Sequence, residues 1–129
     1  MKPVDQSHPK GCFQAAVASV LELPLSDVPD FCAPGWNGRN WWGGFLDWCK
    51  DRGLFAIEFR LRESEPCFAE LPDGAICILS GPSPRGLNHS VVAITRSNRF
   101  EIVHDPHPSR CGLAGFPKDV LFFVRDNGH

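Results

Sequence analysis

The chain has 129 residues and a formal net charge of -2, with 13 Lys and Arg against 15 Asp and Glu. That length suits one domain with one core, so we expect a single domain over residues 1–129. The charges are interspersed, which excludes a basic nucleic-acid-binding stripe and an acidic tail. No segment resembles a signal peptide or a membrane span, so we expect a soluble, cytoplasmic protein without a nucleic-acid or membrane partner. The oligomeric state stays open.

The first predicted element is a helix over residues 12–23, because Ala, Leu, Val, Glu and Gln dominate this stretch and Pro24 follows it. Residues 25–31 indicate a short turn or helical turn, and the Gly, Pro and Asn residues of 32–40 indicate a loop. Asn40 is a good cap for a second helix that Gly53 ends. The apolar residues Phe45, Leu46, Trp48 and Cys49 are expected on one side of that helix.

From residue 55 onward the sequence changes to a period of two, which indicates strands. Phe55, Ile57, Phe59 and Leu61 alternate with polar or small residues, as in a half-buried strand. Further strands are predicted at 75–81, 89–95, 99–105 and 119–125. The strands 89–95 and 99–105 flank a short polar connection and are interpreted as a hairpin. Helices followed by an antiparallel sheet predict an α+β fold.

The six cysteines contain no CxxC pair, which argues against a zinc ribbon. Without an export signal we do not expect a disulfide framework, so most cysteines should be free thiols and most of those buried. Their positions are Cys12, Cys32, Cys49, Cys67, Cys77 and Cys111.

Cys12 differs from the others because it lies at the predicted start of the first helix. The N–H groups and dipole of a helix N-terminus favour a thiolate, which is the reactive form of cysteine. Gly11 beside it would let a substrate backbone approach closely. The alternative is that Cys12 is one more small apolar residue in the core.

The hairpin brings two further candidates together, since His89 opens its first strand and Asp105 closes its second. The two residue numbers have an even sum, so the residues face each other only if the connection holds an odd number of residues. A three-residue connection, 96–98, gives that register and places the two Cβ atoms about 5 Å apart. Asp105 would then orient the imidazole, and the other ring nitrogen would meet Cys12.

A two-residue turn at 97–98 is the competing register. Unless a bulge intervenes, it moves Asp105 to the opposite face and leaves His107 or Asn88 as the orienting group. A metal site built from His89, His104, Asp105 and His107 is a further alternative. The segment that holds the last three is otherwise only a turn. We expect no metal and no cofactor.

Two loops hold candidate substrate-binding residues. The segment 35–42, GWNGRNWW, places three tryptophans among glycines, and Trp36 is the candidate for a substrate wall, although large aromatics more often lie in the core. The segment 81–88, GPSPRGLN, leads into His89, and its Arg85 is a candidate for binding a carboxylate. The alternative for this segment is a solvated turn.

The order Cys, His, Asp resembles the papain-like cysteine peptidase fold. Gln6 lies six residues before Cys12 and Asp105 sixteen after His89, the offsets of the oxyanion glutamine and the orienting residue in papain-like enzymes. CFQAAVASVLELPLSDVPDF, LSGPSPRGLNHSVV and IVHDPHPS resemble an uncharacterised compact bacterial or phage family related to the peptidase domains of bacteriocin exporters. The resemblance covers residues 5–113. It departs from papain itself at KGCF, where papain has C-G-[SA]-C-[WY].

The resemblance implies a thiol hydrolase or acyltransferase, most simply a cysteine peptidase or amidase. Cys12 would be the nucleophile, His89 the acid and base, and Asp105 the orienting group, with Gln6 and the Cys12 N–H as oxyanion hole. The partner would be a peptide, protein or small amide substrate, and the acceptor either water or an amine. The alternative is a catalytically weak papain-like scaffold that binds a protein partner.

Overall fold

A computed structural model describes residues 1–33, 40–62, 73–97 and 99–126. These residues form two α-helices and five β-strands, which are α1 (Cys12–Leu21), α2 (Trp41–Asp51), β1 (Leu54–Arg60), β2 (Ile76–Pro82), β3 (Asn88–Arg96), β4 (Arg99–His104) and β5 (Asp119–Arg125). The strands make one antiparallel sheet in the order β1-β5-β2-β3-β4. The α+β class expected from the sequence is confirmed.

The helix ends follow the sequence signals. After α1 the chain turns at Glu22, which has a φ of 57°, and a short 3-10 helix, Leu25–Asp27, comes next. Asn40 caps α2 by accepting the Trp42 N–H at 3.0 Å, and Gly53 follows the helix with a φ of 71°. Of the predicted loop at 32–40, residues 34–39 lie outside the described residues. Within the described ranges, no helix has the length and apolar character needed to cross a membrane.

One apolar layer lies between the helices and the sheet. Its α1 residues, such as Ala16 and Val17, lie against Ile78 and Val92 of the sheet. The Phe13 ring packs edge-on against three other rings, those of Phe31, Trp41 and Phe45, at centroid distances of 6.0, 5.4 and 5.1 Å. This aromatic packing fixes the first turn of α1 and therefore the position of the neighbouring Cys12.

The alternating pattern of β1 correctly marks a strand, but of its four alternating apolar residues, Phe55, Ile57, Phe59 and Leu61, only Leu61 is buried, with 6 % exposure. Phe55, Ile57 and Phe59 are exposed to 51, 42 and 49 %. They share a face with their β5 partners on the side of the sheet away from the helices, whereas Leu54 and Ala56 pack toward the helices. Alternation states which residues share a face, not whether another element covers that face.

The hairpin between β3 and β4 corrects the predicted register. Arg96 pairs with Arg99, so the connection has two residues and not three. The ladder then shifts between Val92 and Ala93, because Val92 pairs with His104 while Ala93 pairs with Ile102. Val103 is therefore the extra residue of a β-bulge. The bulge restores the parity lost at the turn and returns Asp105 to the side of His89.

Five cysteines lie in the described part of the chain, and all five are free thiols. Cys49 and Cys77 are buried, Cys12 is partly buried, and Cys32 and Cys111 are exposed. The expectation that most cysteines are buried is therefore wrong for these residues. Cys32 lies in a turn and Cys111 in the irregular segment after β4, where a small thiol needs no apolar neighbours.

Candidate active site

Cys12 is the first residue of α1, and Gly11 occupies the capping position before it. A Cβ on Gly11 would lie 3.1 Å from the His8 Nε2 and 3.3 Å from the His8 carbonyl oxygen. His8 is held in place by a contact of 2.7 Å between its Nε2 and Asp30 Oδ2. The close neighbour that requires glycine at this position is thus the His8 loop, and a role of Gly11 in substrate binding stays a prediction.

The Cys12 sulfur interacts with three hydrogen-bond donors. Burial raises the pKa of the thiol, but hydrogen bonds from the His89 ring and from the backbone N–H groups of Ser90 and Phe13 lower it. The positive charge of His89 acts in the same direction, and the net effect is a lowered pKa. A sulfur so placed favours the thiolate form. The donor from Ser90 was not predicted from the sequence.

His89 lies between Cys12 and Asp105. Its Nε2 is 2.6 Å from Asp105 Oδ1, and both side chains are 3 % exposed. Because Nε2 is bound to Asp105, Nδ1 is the ring nitrogen left for Cys12. Burial lowers the pKa of His89, while hydrogen bonds and opposite charges on Cys12 and Asp105 raise it, with a net increase.

Both oxygens of the Asp105 carboxylate are used. Besides His89, Oδ1 accepts the His107 N–H at 2.9 Å, and Oδ2 accepts the Gly112 N–H at 2.7 Å. Burial raises the pKa of Asp105, but the hydrogen bonds from His89, His107 and Gly112 lower it further than burial raises it. Gly112 has a φ of 70°, which suits glycine. The carboxylate is therefore held ionised and in a fixed orientation.

The N-terminal segment is tied to the same region through an ion pair that sequence reasoning missed. The Arg110 guanidinium donates to both oxygens of Asp5, at 2.7 and 2.8 Å, and also to the Asp105 carbonyl oxygen. The Gln6 N–H donates to the Pro106 carbonyl at 3.1 Å. Asp5 and Arg110 are 105 positions apart in the sequence. Opposite charges at such a separation do not predict that two residues are in contact.

The Gln6 side chain lies in the loop that leads to Cys12. Its Nε2 donates to the carbonyl oxygens of His8 at 3.0 Å and Pro9 at 3.4 Å. Its Oε1 is buried and has no hydrogen-bond partner among the described residues. These contacts hold the loop, and the oxyanion role of Gln6 stays a prediction.

His104 and His107 have separate partners. The His104 Nε2 donates to the Val4 carbonyl at 2.8 Å, and the His107 Nδ1 is 2.8 Å from the Ser109 hydroxyl. Within the described ranges, no three His, Cys, Asp or Glu side chains form a group that could hold a metal ion. The geometry therefore gives the histidine-rich turn a structural role around Asp105.

A cleft of about 330 Å³ opens beside Cys12. Apolar residues, among them Phe13, Trp41 and Leu87, line part of it. Polar residues line the rest, namely Lys10, Cys32, Glu58, Ser80, Asn88, Ser90 and Asp119. A larger depression of about 580 Å³ lies around Asp5, His104, Asp105 and Arg110, but Cys12 does not line it. The smaller cleft is thus the candidate substrate site.

Of the two residues predicted to bind substrate, Arg85 does not line this cleft. Trp36 lies outside the described residues. The Arg85 Nη1 donates to the Ser109 hydroxyl at 3.1 Å, which links two exposed turns. Trp41, which is 39 % exposed, is the described tryptophan that lines the cleft.

Comparison with known proteins adds no assignment. No protein-family model matches the chain, and no curated protein matches it significantly.

Proposed function

We propose that this protein is a thiol hydrolase or acyltransferase of the papain-like cysteine peptidase type, acting on a peptide or amide bond. The observation that carries the proposal is the chain of contacts from the Cys12 sulfur through the His89 ring to the Asp105 carboxylate, beside an open cleft. A nucleophile, a base and an orienting group in this order are the parts that acyl transfer requires.

In the resting state Cys12 is a thiolate and His89 an imidazolium. The thiolate attacks the substrate carbonyl carbon, and the C–S bond forms as the carbonyl π electrons move to oxygen. His89 then donates its Nδ1 proton to the leaving amine, and the C–N bond breaks. The product is a Cys12 thioester, and His89 is left neutral with Nε2–H still directed at Asp105.

In the second half-reaction, neutral His89 removes a proton from water or from an acceptor amine. The acceptor attacks the thioester, the C–S bond breaks, and the Cys12 thiolate and His89 imidazolium are restored. Asp105 stays ionised throughout and fixes the ring orientation. The developing oxyanion needs hydrogen-bond donors, for which the backbone N–H of Cys12 and, by resemblance, the Gln6 amide are the candidates.

The test is to trap the thioester with p-nitrophenyl acetate, a small active ester. Intact mass spectrometry and peptide mapping should find one acetyl group on Cys12 in the wild type and none on that peptide in Cys12→Ala. His89→Ala should slow acylation about tenfold or more, because Cys12 loses the cation that favours its thiolate, while the p-nitrophenolate leaving group needs no proton.

Alkylation by iodoacetamide at pH 6 measures the thiolate directly. An ordinary thiol is only about 0.3 % ionised at that pH. Cys12 should react selectively in a Cys111→Ser background, and His89→Ala should slow its labelling about tenfold or more. Cys32 is an internal control in the same cleft, since partial desolvation of its thiol first, and then the nearby negative charges of Cys12 and Asp30, raise its pKa to about 11.

Labelling of Cys32 as fast as Cys12, or no effect of His89→Ala, would overturn the proposal. The scaffold alternative predicts a different result: no acyl-enzyme forms, and a bound protein partner is retained equally by wild type and Cys12→Ala.

A further inference from the structure

The polar part of the cleft has a definite order that the strand register sets. Ser90 of β3 is paired with Ser80 of β2, and Ser80 is paired with Asp119 of β5. Directly paired residues share a face, and the two serine hydroxyls confirm this with a separation of 2.9 Å. Because neighbouring strands lie about 4.8 Å apart, Asp119 is about 10 Å from Ser90 across the sheet. The backbone N–H of Ser90 donates to the Cys12 sulfur, so this end of the row lies at the candidate nucleophile.

A second carboxylate lies next to Asp119. Glu58 of β1 is paired with Leu121, two residues along β5, so it shares the same face of the sheet. Burial first, and then the charge of Asp119, raise the pKa of Glu58, while the charge of Arg60 lowers it, and the net effect is an increase. Both line the cleft that contains Cys12.

The cations near these carboxylates leave them incompletely paired. Asp119 Oδ1 is buried, has no hydrogen-bond partner among the described residues, and lies 3.8 Å from the Arg60 Nε. The Arg60 side chain is 77 % exposed and does not line the cleft. Lys10 does line it, but from the loop beside Cys12 and not from the sheet. Among the residues that the structure describes, the end of the cleft away from Cys12 is therefore acidic.

We propose that Glu58 and Asp119 select a substrate with a long cationic side chain, lysine or arginine, close to the carbonyl that Cys12 attacks. The inference rests on the proposed function and deepens it. The side chain would lie over Ser90 and Ser80 and place its charged end between the two carboxylates. Lysine carries its ammonium on a four-carbon stem, so it can span strands that a short side chain cannot.

The probes are acyloxymethyl ketones of acetylated dipeptides, which differ only in one residue at the first or second position before the ketone. The Cys12 thiolate displaces the acyloxy group, so that a C–S bond forms, a C–O bond breaks and a carboxylate leaves. Intact mass spectrometry gives the rate for lysine, ornithine, diaminobutyrate, norleucine and glutamate. At one of the two positions, lysine should react on the order of 10- to 100-fold faster than norleucine. Ornithine should be intermediate, and diaminobutyrate and glutamate should lack the advantage.

Variants locate the preference. Glu58→Gln and Asp119→Asn should each lower the lysine-to-norleucine rate ratio several-fold. Glu101→Gln is the matched control, because Glu101 is an exposed β4 residue that forms an ion pair with the Arg96 side chain and does not line the cleft. It removes the same charge and should keep the wild-type ratio. The length series uses wild-type protein, so the inference stays testable even if a variant fails to fold.

Equal rates for lysine and norleucine at both positions in the wild type would overturn the inference. An unchanged ratio in both Glu58→Gln and Asp119→Asn would do the same. Parallel iodoacetamide labelling separates this failure from that of the proposed function. If Cys12 labels fast but shows no cationic preference, only the selectivity is wrong, whereas slow labelling of Cys12 by every reagent overturns both.

Discussion

Replacing Asp105 by Asn tests whether the site depends on both carboxylate oxygens. Oδ1 accepts from His89 and His107, and Oδ2 accepts from the Gly112 N–H. An amide has one accepting oxygen. Placed at Oδ1, that oxygen keeps two donors, but the NH₂ group then points at the Gly112 N–H. The reverse orientation leaves two donors without an acceptor and is worse.

The cost follows from this count. Asp105 and Gly112 are both buried, so water cannot replace the lost acceptor. Leaving one buried donor unpaired costs about 1–3 kcal/mol. In a domain of this size, 1 kcal/mol lowers the Tm by about 3–5 °C, so the expected fall in Tm is roughly 3–15 °C. Cys12 alkylation should slow as well, because the His89 imidazolium loses its opposite charge.

The pH dependence has a defined sign. Asp105 has a lowered pKa in the folded protein, so its contribution to stability is present above the unfolded pKa of about 3.9 and is lost as the pH falls through the folded value. The Tm difference between wild type and Asp105→Asn should therefore be largest near pH 5–7 and shrink below about pH 4. His89, whose pKa is raised, acts oppositely: its contribution is present below about 6.5 and is lost as the pH rises through the folded value.

Thermal unfolding followed by circular dichroism at several pH values is the assay, and Asp73→Asn is its control. Asp73 is exposed, and its Oδ1 accepts the Ser97 backbone N–H at 2.9 Å. An amide oxygen can take over that bond, so the control should stay within about 0.5 kcal/mol of wild type. If Asp105→Asn unfolds at the wild-type temperature at pH 6, the argument from two accepting oxygens is wrong.

Two further variants test the surroundings of the site. The oxyanion role predicts that Gln6→Ala slows Cys12 acylation by p-nitrophenyl acetate by on the order of 10² to 10³, whereas a change of only a few-fold would make Gln6 a loop residue. Gly112→Ala puts a side chain at a φ of 70°, which costs about 1–2 kcal/mol, and should both lower the Tm and slow Cys12 alkylation. Gly74→Ala, with a φ of 86° and open space around the added Cβ, should lower only the Tm, and equal alkylation rates for the two variants would remove Gly112 from the site.

Most secondary structure was predictable because its signals are local. Asn40 caps α2 through its own side chain, and Pro24 and Gly53 follow the two helices within a few residues. Whether a face is covered is not local. The apolar residues of β1 were assigned to the strand correctly, but their exposure depends on which elements cover that side of the sheet.

The candidate site was predictable in its residue types and not in its supports. The sequence has one cysteine at a helix start and a histidine and an aspartate at the two ends of one hairpin. These positions leave few other residues that could interact with Cys12. The contacts that hold them are long-range. Gly112 donates to Asp105, and Arg110 donates to Asp5. Both donors lie in the segment after β4, and the local sequence does not predict where that segment turns.

The place of Asp105 on the same face as His89 depends on two features of the hairpin, each of which shifts the strand register by one residue in the same direction, so that together they restore the parity. The turn is one residue shorter than parity alone required, and β4 holds one residue more because of the bulge at Val103. Ile102 and Val103 are consecutive apolar residues, exposed to 43 and 40 %, and this interruption of the alternating pattern is the trace that the bulge leaves in the sequence. Parity depends only on the total number of residues between His89 and Asp105. It therefore predicts the correct face for Asp105, but it assigns the extra residue to the turn and not to the bulge in β4. The position of the extra residue matters. A bulge next to Val92 bends β4 near its end, directly before Asp105, whose carboxylate contacts the His89 ring.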